Sequence, residues 1–267
     1  MHRFYCPELL TDQASTLQTV FTESANDDTD DPSALQQPIL PDTVVQLNAT
    51  ESHHAARVLR LKEGEPVELI NGRGLLAAGV IQQIKPAVAV RITQSSLTPA
   101  EPCSLHIAIC IPKGSHADEM INQLSQLGVD RLTPLLTTRG TVQPRENKIE
   151  RLGRIAVTAA KQCGRLHLMQ LDQPIALADL IHRDLDLKLL ADPLGSPDAI
   201  DRQKLAKHRH VTVIVGPEGG LTDEERKLAI DAGFELWNIN RNILRIETAG
   251  AAVAAIIAQM SLHQSPG

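Results

Sequence analysis

Two stretches of the chain combine glycine, charge and a flanking apolar run in a way that suits small-molecule chemistry. The first, Gly216-Pro217-Glu218-Gly219-Gly220, follows the β-branched and apolar run Val211 to Val215 and precedes Thr222-Asp223-Glu224-Glu225, which has the form of a helix capping box. Glycines there let the backbone approach a ligand, and the free N–H groups of the following helix point outward. The spacing matches neither the G-x-x-x-x-G-K-[ST] phosphate loop nor G-x-G-x-x-G, so the chemistry on offer is backbone recognition of a small molecule. A tight structural turn fits the same glycine spacing. The second stretch runs from Asn240 to Ala249 and carries Arg245 and Glu247 at the start of an apolar helix. Arg245 puts a cation beside the ligand loop; Glu247 fits a helix-dipole partner at least as well as a functional acid.

Charge gives a third signal. Residues 131 to 165 hold Arg131, Arg139, Arg145, Lys148, Arg151, Arg154, Lys161 and Arg165 against Glu146 and Glu150, a net +6. Several of these share one helix face at spacings of three, four or seven. Such a run is commonly a solvated face and otherwise a phosphate-binding stripe. Arg3 and the segment His53-His54-Ala-Ala-Arg57-Val-Leu-Arg60 extend the basic character towards the N-terminus. His208 and His210 alternate without a carboxylate or Cys at ligand spacing, so no metal site is expected. No nucleophile elbow is present. Cys163 fits an exposed thiol, but reads more readily as a small buried residue at a helix end.

Those signals must be set against the whole chain, 267 residues with a formal net charge of −6, which alone argues against a nucleic-acid partner. The acids are uneven. Residues 11 to 42 hold Asp12, Glu23, Asp27, Asp28, Asp30, Asp31 and Asp42 with no Lys or Arg, and the remainder carries +1. Phe4, Tyr5, Phe21, Phe234 and Trp237 are the only aromatics, so base reading by aromatic stacking is not expected. The four cysteines form no C-x-x-C pair and the N-terminus shows no signal-peptide pattern, which points to reduced thiols and the cytoplasm. No apolar run reaches the roughly 20 residues of a membrane span.

The elements that must position these residues fall into two sets. Residues 11 to 42, polar and without apolar periodicity, read as a mobile insertion. Around it, Val44 to Leu47, Pro66 to Ile70, Leu75 to Ile84 and Ala87 to Ile92 are expected strands, with a helix near Glu51 to Leu61 and an Asn71-Gly72-Arg73-Gly74 turn. They predict a small β-barrel or curled sheet over residues 1–95. Ser95 to Pro102 reads as a linker. From residue 103 to 267 strands alternate with helices. Strands are expected at Leu105 to Ile111, Arg131 to Leu136, Leu168 to Leu171, Leu187 to Ala191, Val211 to Val215 and Phe234 to Ile239. The helices between them are expected from a Ser115 cap to Gly128, from Glu146 to Cys163, after Ser196-Pro197-Asp198, from Thr222 to Gly233, and from Glu247 to Met260. This is an α/β pattern with a largely parallel sheet, in which ligands bind beyond the carboxyl ends of the strands. The last helix is apolar almost all round and therefore needs more than one neighbour, which a dimer would supply.

The motifs together resemble a known family. Val-Ile-Val-Gly-Pro-Glu-Gly-Gly-Leu-Thr-Asp-Glu-Glu at 213 to 225, followed by Ile-Leu-Arg-Ile-Glu-Thr-Ala at 243 to 249, resembles the signature of the RsmE family, bacterial 16S ribosomal RNA uracil-N3 methyltransferases of the SPOUT superfamily. His54 with Val58-Leu59-Arg60-Leu61, Leu127-Gly128-Val129, Thr133-Pro134-Leu135 and Gln162-Cys163-Gly164-Arg165 extend the resemblance over almost the whole chain outside residues 11 to 42. It implies a PUA-like RNA-binding barrel followed by a trefoil-knotted SPOUT methyltransferase domain, a homodimer, and S-adenosyl-L-methionine (AdoMet) as cofactor. The implied cofactor residues are Leu190, Gly216, Pro217, Glu218, Gly219, Gly220, Ile239, Asn240, Ile243, Leu244 and Arg245. Arg165 and Arg245 are the implied catalytic cations, stabilising a uracil anion once N3 has lost its proton. Arg3, His54, Arg57, Arg60, Arg139, Arg154, Lys161 and Arg165 are the implied contacts to ribosomal RNA in the small subunit.

The chain departs from the family pattern at Gln123, Gln126, Thr138, Lys161, Asn240 and Asn242. Asn240 stands where a glycine is usual, which matters if the backbone there needs positive φ. Three rivals follow: a non-catalytic RNA-binding SPOUT homologue, a SPOUT methyltransferase acting on another RNA, and a generic Rossmann-type nucleotide enzyme.

Overall fold

The computed structural model describes residues 1–9 and 38–262. Most of the expected acidic insertion, residues 11 to 37, lies outside the described residues; its last acid, Asp42, pairs with Arg91 at 3.1 Å. The chain divides into two compact units, Met1–Pro99 and Ala100–Gly267.

The first unit contains β1 (His2–Tyr5), β2 (Val44–Gln46), α1 (Ala49–His53), β3 (Pro66–Ile70), β4 (Leu75–Gln83) and β5 (Ala89–Leu97). The strands form one sheet in the order β1-β3-β4-β5-β2, with β1 parallel to β3 and the other pairs antiparallel. Alternate residues of β4, Leu75, Ala77 and Ile81 among them, join Phe4, Val67, Leu69, Val90 and Ile92 in an apolar core. That is the period-2 burial of a sheet with one packed face. The Asn71 side chain organises the turn between β3 and β4, its Oδ1 accepting from Arg73 N at 2.8 Å and Leu75 N at 3.1 Å. The expected linker begins too early, because β5 stays in register with β4 as far as Leu97, opposite Leu75. The expected single helix is also different. Asn48 caps α1 through Glu51 N, and the chain then widens into a π-helical turn, His54–Val58, that leaves Arg57 and Val58 exposed.

The second unit is built on seven parallel strands: β6 (Ser104–Ile109), β7 (Arg131–Leu136), β8 (Gln170–Leu171), β9 (Ile175–Ala176), β10 (Leu187–Ser196), β11 (His210–Val215) and β12 (Glu235–Trp237). Their order is β12-β10-β11-β6-β7-β8, with β9 also on β7. The helices are α2 (His116–Gln126), α3 (Glu146–Cys163), α4 (Leu177–Leu180), α5 (Arg202–Leu205), α6 (Asp223–Asp231) and α7 (Ile246–Ser261). The run at β11 is buried on both faces, as a central parallel strand requires. Gly164, Gly128 and Gly233 adopt positive φ just beyond α3, α2 and α6, the left-handed stop that glycine permits.

Three local expectations are corrected. Ser115 occupies the N-cap of α2, but its side chain makes no capping bond. Ser196 does not start a helix; it ends β10, pairs with Trp237, and accepts from Asn238 N at 3.1 Å, while α5 begins later behind Asp201. The neighbouring Gly195 explains this, since a Cβ there would lie 2.4 Å from the Leu236 carbonyl carbon and the strands could not meet. Cys163 is exposed, not buried.

Candidate active site

Strand β10 is flanked by β11 on one side and β12 on the other, so the connections leaving β11 and β12 diverge over its carboxyl end. Both glycine-rich and asparagine-rich loops noted in the sequence are those connections. Between them lies a cleft of about 270 Å³, near the lower end of the roughly 300–1,000 Å³ usual for small-molecule sites. Gly216, Pro217, Glu218, Gly219 and Gly220 line one side, and Ile239, Asn240, Ile243 and Leu244 the other. Val215, Leu221, Ile246 and Ala249 add apolar wall.

Local chemistry explains why the first loop holds its shape. Gly220 N donates to Pro217 O at 2.8 Å, closing a turn that puts Gly220 at φ +67°, where a side chain would be strained. Thr222 then caps α6 in a reciprocal capping box with Glu225. Glu225 also accepts from Thr138 N at 2.7 Å. Burial opposes ionisation of this carboxylate, but the bonds from Thr138 and Thr222 outweigh it and hold Glu225 below its ordinary pKa. Arg139 completes the brace, donating to Gly219 O at 2.8 Å and Leu221 O at 3.4 Å.

The second loop is a ladder of asparagines. Asn238 Nδ2 donates to Pro193 O at 3.0 Å, Asn238 Oδ1 accepts from Asn240 N at 3.1 Å, and Asn240 Oδ1 accepts from Asn242 N at 2.8 Å. Among the described residues Asp42 and Arg60 are the only non-glycine positions with positive φ. Asn240 therefore needs no glycine-like backbone, and its side chain supports the turn instead.

The structure does not bring every expected residue to the cleft. Leu190 is buried in the sheet between Ile214 and Leu236, and the next two residues, Ala191 and Asp192, reach the cleft in its place. Arg245 is exposed at the N-cap of α7, adjacent in sequence to the lining residues Leu244 and Ile246 but not itself part of the wall. Glu247 pairs with His116 at 3.4 Å, joining the starts of α7 and α2.

Arg165 is displaced furthest from expectation. Its guanidinium donates to Ser125 O, Val129 O, Gly128 O and Asp130 Oδ1, at 3.2, 2.5, 3.2 and 2.7 Å. Asp130 in turn accepts from Leu105 N at the start of β6. Arg165 thus caps the end of α2 at the amino edge of the sheet, while the cleft sits at the carboxyl edge. Burial lowers its pKa and Asp130 opposes that shift. Within one chain Arg165 does not touch the cleft.

The basic residues separate in the same way. Arg3 is held by Glu68 at 2.6 Å and Arg151 by Asp118 at 2.6 Å. Arg57, Arg60 and Arg154 remain exposed, Lys161 is half-buried, and His54 packs edge-on against Phe4 with ring centroids 6.3 Å apart. No group of three or more metal-ligating side chains occurs among the described residues, and none of their helices is long and apolar enough to cross a membrane.

Sequence reasoning missed Asp192, Arg226 and Asn238. Asp192 was findable: it is the first acid after the apolar run of β10, and the pairing of β10 with β11 puts it beside the glycine loop. Asp192 is 7% exposed and forms an ion pair with Arg226 at 2.8 Å.

Comparison with known proteins agrees with this geometry. Residues 99–258 match the family model of an RNA methyltransferase domain, and residues 47–93 that of an RNA methyltransferase PUA domain. The ribosomal RNA small subunit methyltransferase E of Synechocystis is 31% identical over 221 residues, 81% of this chain and 73% of that protein. The chain belongs to the ribosomal RNA small subunit methyltransferase E family. The Rickettsia conorii member is 29% identical, over 79% of this chain and 87% of its own length. Among solved structures, a putative methyltransferase from Legionella pneumophila with bound AdoMet superposes with a TM-score of 0.75 at 29% identity, covering 83% of this chain and 93% of that one. The family member from Neisseria gonorrhoeae shares the fold over 97% of this chain and 98% of its own, with a TM-score of 0.78 at 23% identity.

Proposed function

We propose that this protein is an AdoMet-dependent methyltransferase that methylates N3 of a uridine in 16S ribosomal RNA of the small subunit, working in the cytoplasm as a homodimer. The observation that carries the reading is the cleft at the carboxyl ends of β10, β11 and β12, built from the two loops whose sequences carry the family motifs.

The cleft fits the cofactor by the chemistry of its walls. Val215, Leu221, Leu244 and Ala249 suit an adenosine ring system, and exposed backbone groups of the two loops suit its edge. Glu218 suits positive charge on the methionyl arm. AdoMet supplies an electrophilic methyl group on a sulfonium. The protein's part is to exclude water, hold the uracil in line, and stabilise the negative charge that forms when N3 loses its proton. Arg245, exposed at the N-cap of α7 beside the cleft and without an ion pair among the described residues, is the cation suited to that task. Arg165 has no part in this reading within one chain, because its donors are engaged at the far edge of the sheet.

N3 lies on the Watson–Crick edge, so the target uridine must be unpaired or flipped. Phosphates would be held by Arg57 and Arg60 of the first unit, whose sheet supports a PUA-like barrel. Arg139, Arg154 and Lys161 would add contacts from the second unit. A trefoil knot in that unit is supported by the match to the RNA methyltransferase family model over residues 99–258. A dimer is supported by α7, which buries Ile246, Ala249, Gly250, Val253, Ala254 and Ile257 yet keeps Ala251, Ala252, Ala255 and Ala258 at least partly exposed.

The test is transfer of tritium from labelled AdoMet to small subunits taken from cells lacking this modification. Incorporation into 16S RNA and not into transfer RNA is expected. AdoMet binding with no transfer to either would favour a non-catalytic RNA-binding homologue.

A further inference from the structure

Arg226, on α6, is fixed from two sides and still has hydrogen-bonding capacity left. Its Nε donates to Asp192 Oδ2 at 2.8 Å and its Nη1 to Asp223 Oδ1 at 2.8 Å. Its Nη2 has no hydrogen-bond partner among the described residues. A guanidinium offers five N–H donors in a planar fork, so most of them remain available here. Asp192 is itself held, its Oδ1 accepting from Leu194 N at 2.9 Å, so it fixes the guanidinium rather than swinging with it. Asp223 is 96% exposed and adds little energy, but it limits rotation from the solvent side.

Arg226 and Asp192 both line the cleft, and among the described lining residues Arg226 is the single cation. AdoMet carries a single anionic group, the α-carboxylate of its methionyl arm. A carboxylate entering this cleft meets two acids, Asp192 and Glu218, and one oriented guanidinium. Charge-assisted pairing with the free face of that fork is the arrangement that satisfies it.

We propose that Arg226, oriented by Asp192, binds the α-carboxylate of the cofactor and so sets the preference for AdoMet over analogues lacking that group. The proposal rests on the AdoMet reading above. It assigns Arg226 as a binding residue and Asp192 as the residue that positions it, and it places the methionyl arm on the α6 side of the cleft.

Calorimetric titration of the full-length protein with AdoMet and with decarboxylated AdoMet tests this without any RNA. The wild-type protein is expected to bind AdoMet ~10- to 100-fold more tightly than the decarboxylated analogue, the range of a charge-assisted contact. Arg226→Gln is expected to erase most of that preference by weakening AdoMet alone, and Arg226→Lys to restore part of it. Asp192→Asn, which keeps the side-chain shape, is expected to reduce the preference less than Arg226→Gln. A preference retained in Arg226→Gln would overturn the proposal, as would equal weakening of both ligands, which would put Arg226 on the nucleoside instead. A wild-type protein that binds both ligands without preference removes the carboxylate contact but leaves the AdoMet reading standing; one that binds neither removes both.

Discussion

Replacing Arg165 by alanine separates two roles that sequence alone leaves joined. As a cation at the reacting uracil, Arg165 would matter to methyl transfer and little to folding. In the structure it is 13% exposed, bonded to three carbonyls at the end of α2 and ion-paired with Asp130, which is 30% exposed. Bonds to charged groups contribute roughly 1.5–3 kcal/mol each, and losing one partner of a buried pair costs about 3–5 kcal/mol. The values overlap, water can reach Asp130, and the freed carbonyls at the helix end can be rehydrated, so the loss is about 3 kcal/mol rather than a sum over four bonds. With a urea slope near 3 kcal/mol per molar, the unfolding midpoint falls by ~1 M. AdoMet affinity, measured calorimetrically under conditions where the variant is folded, stays within about twofold, because the cleft lies at the other edge of the sheet. Arg165→Lys keeps the charge without the planar fork and falls between the two. An Arg165→Ala protein with an unchanged urea midpoint and abolished methyl transfer would refute this reasoning and return Arg165 to the site.

Other expectations follow from the same geometry. His106 is buried between Thr133 Oγ1 at 2.8 Å and Thr212 Oγ1 at 3.3 Å, and burial pushes its pKa down to about 4. Unfolding frees it to take up a proton below its ordinary value, so stability is complete above about pH 6.5 and is lost as the pH falls towards 4, by about 3 kcal/mol in all. Between pH 7 and pH 5 the urea stability should drop by about 2 kcal/mol more in the wild type than in His106→Gln, and an equal drop in both would exclude His106 as the cause. Gly220→Val forces a β-branched side chain into positive φ at a cost of about 1–3 kcal/mol, so AdoMet affinity should fall ~10-fold by calorimetry; wild-type affinity would mean the loop does not shape the site. Ala255→Arg, on the open face of α7, should convert a dimer to a monomer in analytical ultracentrifugation. A wild-type monomer would remove the dimer.

Much of this was legible in the sequence because the signals were local. The capping box at Thr222, the αL glycine after α3 and the apolar run of β11 each specify their own conformation from neighbouring residues. Elements set by distant contacts were not legible. The extension of β10 to Ser196 depends on pairing with Trp237, about forty residues later, and Ser-Pro-Asp there has the composition of a helix start. The site divides along the same line. The two loops stood out by glycine and motif, whereas the Asp192–Arg226 pair joins residues on separate elements, and only Asp192, as the first acid after an apolar run, carried a local signal. The network around Arg165 was hidden for a related reason. A cation following a helix-terminating glycine reads as free to act, and only the fold shows the carbonyls of α2 and Asp130 gathered around it. The net charge of −6 was similarly misleading, since exposed basic positions such as Arg57, Arg60, Arg139 and Arg154 lie outside the acidic stretch.

Methylation of N3 in a uridine of 16S ribosomal RNA at this cleft is tested by mass-spectrometric identification of the nucleoside formed when the purified protein and AdoMet act on unmodified small subunits. The expected product is 3-methyluridine at one site, absent when Arg245 is replaced by glutamine. A different methylated nucleoside as the product would contradict the assignment, and so would full 3-methyluridine formation by the Arg245→Gln variant.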